Sequence, residues 1–118
     1  MIVEDHSAFA QALELILGQV EGTEVALART LEEGRALIRG DEPFDVVVLD
    51  LTLPDGEGTD LIAELRLRRP ETPVAVLSAR NDVDEAASKG GADAAIHKDT
   101  PLPDIIASLK RIARKGSL

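Results

Sequence analysis

The stretch "VVVLDLTLPDGEG", residues Val46 to Gly58, decides the fold of this chain. Its first four residues, Val46 to Leu49, form an apolar run typical of a strand that is buried on both faces of a parallel sheet. The run leads directly into the carboxylate of Asp50 and then into a turn rich in proline and glycine. A buried strand that ends on a charged group predicts a rigid support for a carboxylate at the edge of a sheet.

Strand-like and helix-like segments alternate on both sides of this stretch. The predicted strands are Ile2–Val3, Thr23–Ala28, Asp45–Leu49, Pro73–Ser78 and Ala92–Ile96. The predicted helices are Phe9–Val20, Thr30 towards Gly40, Asp60–Arg68, Asp82–Lys89 and a last helix that runs from Leu102 to Gly116. This alternation predicts an α/β fold, a doubly wound five-stranded parallel sheet with helices on both faces.

Local signals indicate where several of these helices begin and end. Thr30 and Glu33 have the spacing of a capping box, in which each side chain bonds the backbone of the other. Pro70 cannot continue the third helix, because it lacks a backbone N–H group. His6 directly precedes the first helical pattern and is interpreted as a residue of the helix start.

The composition limits the class of protein. Hydrophobic residues make up 44 % of the 118-residue chain, enough for the core of one domain over residues 1–118. The net charge of −9 and the absence of Trp and Tyr argue against direct nucleic-acid binding by this domain. The lack of cysteine excludes disulfides and favours a cytoplasmic location. The apolar runs are too short to span a bilayer, so we expect no membrane association.

Chemically active side chains follow four of the five predicted strands. Glu4 and Asp5 follow the first strand, Asp50 the third, Ser78 ends the fourth and Lys98 follows the fifth. Ligands of open parallel sheets bind beyond the carboxyl ends of the strands, so we expect these side chains to converge. The second strand ends on Ala28 and contributes no such group.

The types of these side chains indicate their chemistry. Three carboxylates at one place repel one another unless they share a cation, and Mg²⁺ binds carboxylate oxygens together with phosphate. Lys98 can bind one phosphate oxygen, and the hydroxyl of Ser78 can donate a hydrogen bond to another. The set predicts Mg²⁺-dependent transfer of a phosphoryl group to a carboxylate.

The sequence resembles the receiver domains of bacterial two-component response regulators along essentially its whole length. Four segments carry the resemblance: "VEDH" (3–6), "VVVLDLTLPDGEG" (46–58), "VLSAR" (76–80) and "GGADAAIHKDT" (90–100). The resemblance implies a flavodoxin-like fold with strand order 2-1-3-4-5. It also implies that Asp50 is the phosphoacceptor. Asp5 and Asp50 would then bind Mg²⁺ directly, Glu4 through water, and Thr52 through its backbone carbonyl.

The same resemblance assigns roles to the remaining residues of these segments. Ser78 and Lys98 would hold the phosphoryl oxygens, and Thr52 and Arg80 would flank the site and tune hydrolysis. Ser78 would also act in the switch with residue 95, where many receivers carry an inward-turning Tyr or Phe. This chain has Ala95 at that position, so the usual coupling of hydroxyl and aromatic ring is not expected.

The resemblance also implies partners. A sensor histidine kinase or a small phosphodonor would phosphorylate Asp50, and the surface of helix 4, strand 5 and helix 5 would carry the change. That surface would bind an effector domain, a downstream protein or a second copy of the chain, with transcription regulation as the output. "VEDH" and "KDT" favour the LuxR/NarL-type subgroup, in which receivers are joined to helix-turn-helix domains.

Two other functions are compatible with parts of the pattern. An Mg²⁺-dependent phosphatase with an aspartyl-phosphate intermediate also uses an aspartate at a strand end, but its D-x-D pattern requires a second Asp where this chain has Thr52. A phosphate-independent interaction module would keep the fold without the chemistry. The presence of Asp5, Asp50, Ser78 and Lys98 argues against such a module.

Overall fold

The computed structural model of the protein describes residues 1–19 and 25–113. The strands in this part of the chain are β1 (Ile2–Val3), β2 (Leu27–Ala28), β3 (Val47–Leu49), β4 (Thr52–Leu53), β5 (Gly56–Glu57), β6 (Val74–Ser78) and β7 (Ala94–His97). The helices are α1 (Ser7–Gly18), α2 (Leu31–Arg39), α3 (Thr59–Arg68), α4 (Val83–Gly90) and α5 (Leu102–Ile112). In the described ranges, no helix is both long enough and apolar enough to cross a membrane.

A five-stranded parallel sheet forms the centre of the fold. Its strand order is β2-β1-β3-β6-β7, with β4 and β5 forming a separate antiparallel pair. Counted without that pair, the order is 2-1-3-4-5, so the predicted topology is confirmed. The α/β class and the five alternating strand–helix units are confirmed with it.

The central strands are buried on both faces, as their apolar sequence predicts. Val47 and Leu49 of β3 point into one core cluster, which Leu61 and Leu65 of α3 complete. Between them, Val48 points into a second cluster on the other face. Residues of α1 and α5 fill that second cluster: Leu13, Leu17, Ile105 and Leu109. Because side chains alternate along a strand, β3 stabilises both layers of helices and holds its own end in a fixed position.

The first helix begins two residues earlier than predicted. His6 is its N-cap, and the His6 Nδ1 atom accepts a hydrogen bond from the backbone N–H of Phe9 at 3.3 Å. The interpretation of His6 as a helix-start residue is therefore confirmed. The end predicted at Val20 lies outside the described residues, as do Thr23 of the second predicted strand and Gly116 of the last predicted helix.

The second helix is capped from two directions. The Thr30 hydroxyl accepts from Glu33 N–H at 3.0 Å, as the capping box predicts, and the Glu33 carboxylate accepts from Arg29 N–H at 3.4 Å. Asp55, in the turn between β4 and β5, accepts from Leu31 N–H at 2.8 Å and from Glu32 N–H at 3.1 Å. This second cap fixes the loop after Asp50 against α2.

The β4–β5 hairpin was not predicted, because the sequence of this stretch reads only as a turn. Directly after the hairpin, the backbone at Gly58 passes very close to the end of β3. Gly58 N–H donates to the Leu51 carbonyl at 2.7 Å, and a Cβ atom on Gly58 would lie 1.9 Å from the Asp50 carbonyl oxygen. Only glycine fits there, so the loop can fold back against the backbone of Asp50.

Candidate functional site

The five side chains predicted to converge lie at the carboxyl edge of the sheet. Backbone hydrogen bonds align the strand ends: Asp50 N–H donates to the Val3 carbonyl at 3.0 Å, and Lys98 N–H donates to the Ser78 carbonyl at 3.0 Å. These bonds place Glu4 beside Asp50 and Lys98 beside Ser78. The site is therefore built on the ladder of the sheet itself.

Three acidic side chains form a cluster at this edge. One carboxylate oxygen each of Glu4, Asp5 and Asp50 lies within 4.8 Å of the others. Glu4 and Asp50 are buried, with 3 % and 7 % of their surface exposed, whereas Asp5 is exposed. Oxygen donors that are this close and carry excess negative charge suit a hard divalent cation such as Mg²⁺.

Lys98 brings a positive charge into the cluster. Its Nζ atom lies 2.5 Å from Glu4 Oε1 and 3.0 Å from Asp50 Oδ2, and its side chain is 17 % exposed. Glu4 therefore binds the ammonium group directly, a contact that the sequence did not indicate. Lys98 connects the end of β7 with the ends of β1 and β3.

Burial and charge pairing shift the pKa values of this pair. For Glu4, burial is the largest influence and raises the pKa above its usual value, against the opposing hydrogen bonds from Lys98 and from His6 N–H. For Lys98, burial opposes the charge, but hydrogen bonds to Glu4 and Asp50 outweigh it and raise the pKa. Lys98 is therefore a firmly charged ammonium group at neutral pH.

The Asp50 carboxylate is held through both of its oxygens. Oδ2 accepts from Lys98 Nζ at 3.0 Å, and Oδ1 accepts from Thr52 N–H at 3.2 Å. The Thr52 side chain itself is exposed at the rim of the site. The role predicted for the Thr52 carbonyl remains a prediction.

Ser78 is buried at the end of β6. Its hydroxyl oxygen accepts a hydrogen bond from Arg80 N–H at 3.2 Å, which leaves the hydroxyl hydrogen for donation to another group. Ala95 pairs with Val76 in the neighbouring strand, is half-buried and packs against the first core cluster. Its small side chain gives no direct connection to Ser78 of the kind that a large ring provides.

Arg80 links two segments at the rim of the site. Its Nη1 atom lies 2.8 Å from Glu57 Oε2 on β5, and its Nη2 atom lies 2.8 Å from Asp82 Oδ2 at the start of α4. Nη1 is also 3.5 Å from the Thr52 hydroxyl. Hydrogen bonds to Asp82 and Glu57 raise the pKa of Arg80. The sequence indicated Arg80 and Thr52 but neither acidic partner, since the pairing with Glu57 depends on the unpredicted hairpin.

Phe9 is not among the residues that the sequence predicts for this site. Phe9 opens the helix predicted over Phe9–Val20, and in the structure it packs, half-buried, against the second core cluster. The structure adds that Lys98 Nζ lies 5.0 Å from the centre of the Phe9 ring. The only signal for this contact was the position of Phe9 in the first turn after the acidic pair.

Comparison with known proteins identifies the family. Residues 1–110 match the family described as the response regulator receiver domain. The chain is 39 % identical over 94 residues to the response regulator protein PilR of Pseudomonas aeruginosa, which covers 78 % of this chain and 21 % of PilR. It is 34 % identical over 118 residues to the cell cycle transcriptional regulator CtrA of Caulobacter vibrioides, which covers 98 % of this chain and 50 % of CtrA. The chain therefore belongs to the response regulator receiver domain family.

Solved structures agree with this assignment. A CheY-like response regulator receiver domain protein from Methanospirillum hungatei has a TM-score of 0.83 and 32 % identity, covering 93 % of this chain and 88 % of that one. A response regulator from Burkholderia pseudomallei, solved with a phosphorylated aspartic acid, calcium ion and citrate, has a TM-score of 0.80 and 30 % identity, covering 92 % and 64 %. The predicted flavodoxin-like fold is confirmed.

Proposed function

We propose that this domain is an Mg²⁺-dependent phosphorylation switch and that Asp50 accepts the phosphoryl group. The observation that carries the proposal is the convergence of three carboxylates with one ammonium group, with Lys98 Nζ 3.0 Å from Asp50 Oδ2. The phosphorylated aspartic acid in the Burkholderia pseudomallei regulator supports the same chemistry for a related chain.

The reaction transfers a phosphoryl group from an oxygen or nitrogen atom of the donor to a carboxylate oxygen of Asp50. An Asp50 carboxylate oxygen forms a bond to phosphorus, and the bond from phosphorus to the donor oxygen or nitrogen breaks. The donor leaves with the bonding electron pair and takes up a proton where its basicity requires one. Burial of Asp50 and its two hydrogen bonds fix the attacking group in advance, so that the protein contributes mainly position and charge.

The acidic cluster fits the metal that the family resemblance implies. Asp5 and Asp50 would hold Mg²⁺ directly, with Glu4 acting through water and the Thr52 carbonyl as a further ligand. When bound, Mg²⁺ supplies positive charge that offsets the negative charge developing on the phosphoryl oxygens. Glu4 already binds Lys98 directly, which supports an indirect role toward the metal.

The switch begins with Lys98 and Ser78. A phosphoryl group on Asp50 offers new oxygens to the Lys98 ammonium and to the free hydrogen of the Ser78 hydroxyl. Ser78 ends β6 and Lys98 directly follows β7, and both strands pack against α4. Their movement would shift the surface formed by α4, β7 and α5 toward an active packing, and Arg80 and Thr52 would tune how long the phosphoryl group persists. Because residue 95 is Ala, the shift proceeds without an inward-turning ring.

The relatives indicate the setting of this switch. PilR and CtrA are described as a response regulator and a transcriptional regulator, and the chain spans half the length of CtrA and about a fifth of PilR. We infer that this domain is cytoplasmic and that a sensor histidine kinase or a small phosphodonor phosphorylates it. An effector domain, a downstream protein or a second copy of the chain would bind its switched surface. Regulation of transcription is the output we expect, and the LuxR/NarL-type subgroup remains a prediction.

Intact-mass spectrometry after incubation with acetyl phosphate and Mg²⁺ tests the proposal. We expect a single phosphoryl adduct on the wild type, none on Asp50→Asn, and none on the wild type when Mg²⁺ is chelated. Asp55→Asn is the matched control, because it removes a carboxylate from the same loop and keeps an oxygen for the α2 cap. An adduct on Asp50→Asn equal to that on the wild type would contradict the assignment. Repeated turnover of phosphomonoesters would instead favour a phosphatase.

A further inference from the structure

Both aromatic residues of this chain lie under a cation. The sequence contains two Phe and no Trp or Tyr. Phe9 faces Lys98 Nζ at 5.0 Å from the ring centre, and Phe44 faces the Arg69 guanidinium at 5.1 Å. Arg69 binds backbone carbonyls of Gly40 and Glu42, remote from the site, whereas Lys98 belongs to the site. The two pairs therefore offer a comparison of the same contact in two settings.

Phosphorylation of Asp50 would change one partner of Lys98 and leave the Phe9 ring unchanged. The Glu4 and Asp50 carboxylates bind its ammonium group now, but Asp50 loses its carboxylate charge to the phosphoryl group during the proposed reaction. The Phe9 ring belongs to the first turn of α1, and its backbone is fixed by the hydrogen bond to His6. The face of an aromatic ring attracts an ammonium group whichever anion lies on the other side.

We propose that Phe9 is a positioning residue for the reaction at Asp50. The ring keeps the Lys98 ammonium over the acidic cluster while the anionic partner of that ammonium changes from a carboxylate to a phosphoryl oxygen. The ring also keeps water from the side of Nζ that the carboxylates leave open, since the Lys98 side chain is 17 % exposed. This inference rests on the proposed function, because it assigns Phe9 a part in that same phosphorylation.

A purely structural role for Phe9 predicts different behaviour. If the ring only fills space against the second core cluster, Leu should replace it at little cost, since both are apolar and of similar size. If the face of the ring holds Lys98, Leu fails and Tyr succeeds. The variants Phe9→Leu and Phe9→Tyr separate the two roles, and Phe44→Leu removes the equivalent ring from Arg69 as a matched control.

The contact is first measured without any phosphorylation. In NMR spectra of lysine-labelled protein, the ε-methylene protons of Lys98 should be shifted upfield by the ring current of Phe9. We expect the shift to disappear in Phe9→Leu and to persist in Phe9→Tyr and Phe44→Leu. An unchanged shift in Phe9→Leu would overturn the contact and the proposal with it, because the shift would then not come from the Phe9 ring.

The consequence is then measured as the rate of phosphorylation by acetyl phosphate with Mg²⁺. We expect Phe9→Leu to lower the maximal rate about threefold to tenfold while the half-saturating acetyl phosphate concentration changes less. Phe9→Tyr should restore most of the rate, and Phe44→Leu should match the wild type. If the wild type is phosphorylated and Phe9→Leu is phosphorylated at the same rate, this inference alone is overturned. A wild type that takes no phosphoryl group would overturn the proposed function as well.

Discussion

Lys98 and Arg66 are cationic side chains at opposite ends of the parallel strands, and their hydrogen-bond partners differ in kind. Lys98 lies at the carboxyl ends, whereas Arg66, on α3, contacts the loops at the amino ends of β6 and β7. Arg66 donates to the carbonyls of Thr72, Pro70 and Gly91 at 2.7, 3.2 and 3.0 Å and to the Asp93 carboxylate at 3.0 Å. Four acceptors from two connecting segments, α3–β6 and α4–β7, thus converge on one planar guanidinium. These contacts join the loops before β6 and β7, where no reaction is proposed.

The two environments differ in whether the charge is balanced. The acceptors of Arg66 are mostly backbone carbonyls, and its single carboxylate partner, Asp93, also accepts from Val74 N–H at 2.8 Å. At the other edge, three carboxylates face one ammonium group, and burial raises the pKa of Glu4. The hydrogen-bonded contacts of Arg66 stabilise the fold, whereas the excess negative charge around Lys98 favours binding of a further cation. The comparison teaches that the number of hydrogen bonds alone does not distinguish structure from function.

The largest expected effect is on the rate of phosphorylation. Lys98→Met should slow adduct formation with acetyl phosphate and Mg²⁺ by about 100-fold or more, because it removes the donor nearest the reacting oxygen. Arg66→Met is the matched variant at the other edge, and it should keep the wild-type rate. Time-resolved intact mass measures both. A Lys98→Met rate within a few-fold of the wild type would remove the functional half of the comparison.

The next effect concerns the free energy of unfolding. Arg66→Met keeps the aliphatic stem but leaves the carbonyls of Thr72, Pro70 and Gly91 without their donor, so it should lower stability by about 2 kcal/mol. Urea titration followed by circular dichroism measures the change. Arg68→Met, which removes a single 3.7 Å contact to Glu64 on the same helix, should cost much less. Equal losses for the two variants would show that the Arg66 network contributes nothing special.

The smallest expected effect is the loss of stability when the acidic residue Asp55 is replaced. Asp55 lies near the site, but its partners are backbone N–H groups, and its hydrogen bond from Leu31 lowers its pKa. Because the pKa of Asp55 is lower in the folded protein than in the unfolded chain, where it is about 4, the ionised carboxylate stabilises the fold above about pH 4. This stabilisation is lost as the pH falls through the pKa of the folded protein. Asp55→Ala should therefore lower the urea midpoint at neutral pH.

The pH dependence provides the check. The difference between wild type and Asp55→Ala should shrink as the pH falls below about 4, because the wild-type carboxyl then becomes protonated. Ala in place of the exposed Asp41 is a control that removes one charge from a different loop. A difference for Asp55→Ala that stays constant across the acid range would contradict the proposed cap by its ionised form.

The sheet and the convergence of the site could be predicted because both depend on local patterns. Val46 to Leu49 reads as a doubly buried strand without any knowledge of its neighbours, and β3 is buried throughout. Once the strands are parallel, geometry brings their carboxyl ends to one edge. Asp50 and Lys98 could therefore be placed together from sequence positions alone, and the structure brings them within 3.0 Å.

The contacts that could not be predicted depend on tertiary placement. The Asp55 cap joins residues 24 positions apart, and the Arg80–Glu57 pair joins residues 23 positions apart. Neither pair has a spacing rule, because each requires the β4–β5 hairpin to fold back first. The direct contact between Glu4 and Lys98 was missed for a different reason. Glu4 is buried and Asp5 is exposed, and the sequence contains no rule that says which of two adjacent acidic residues turns inward.

Gly58 has a consequence for how this domain tolerates mutation. Its missing side chain leaves room for the Asp50 carbonyl, which any Cβ atom would meet at 1.9 Å. A library with all amino acids at this codon, screened for folded protein, would return almost only glycine. Gly18, where a Cβ atom meets nothing within 4 Å, would accept many residues. The position next to Asp50 that tolerates the fewest amino acids is thus a residue without a side chain.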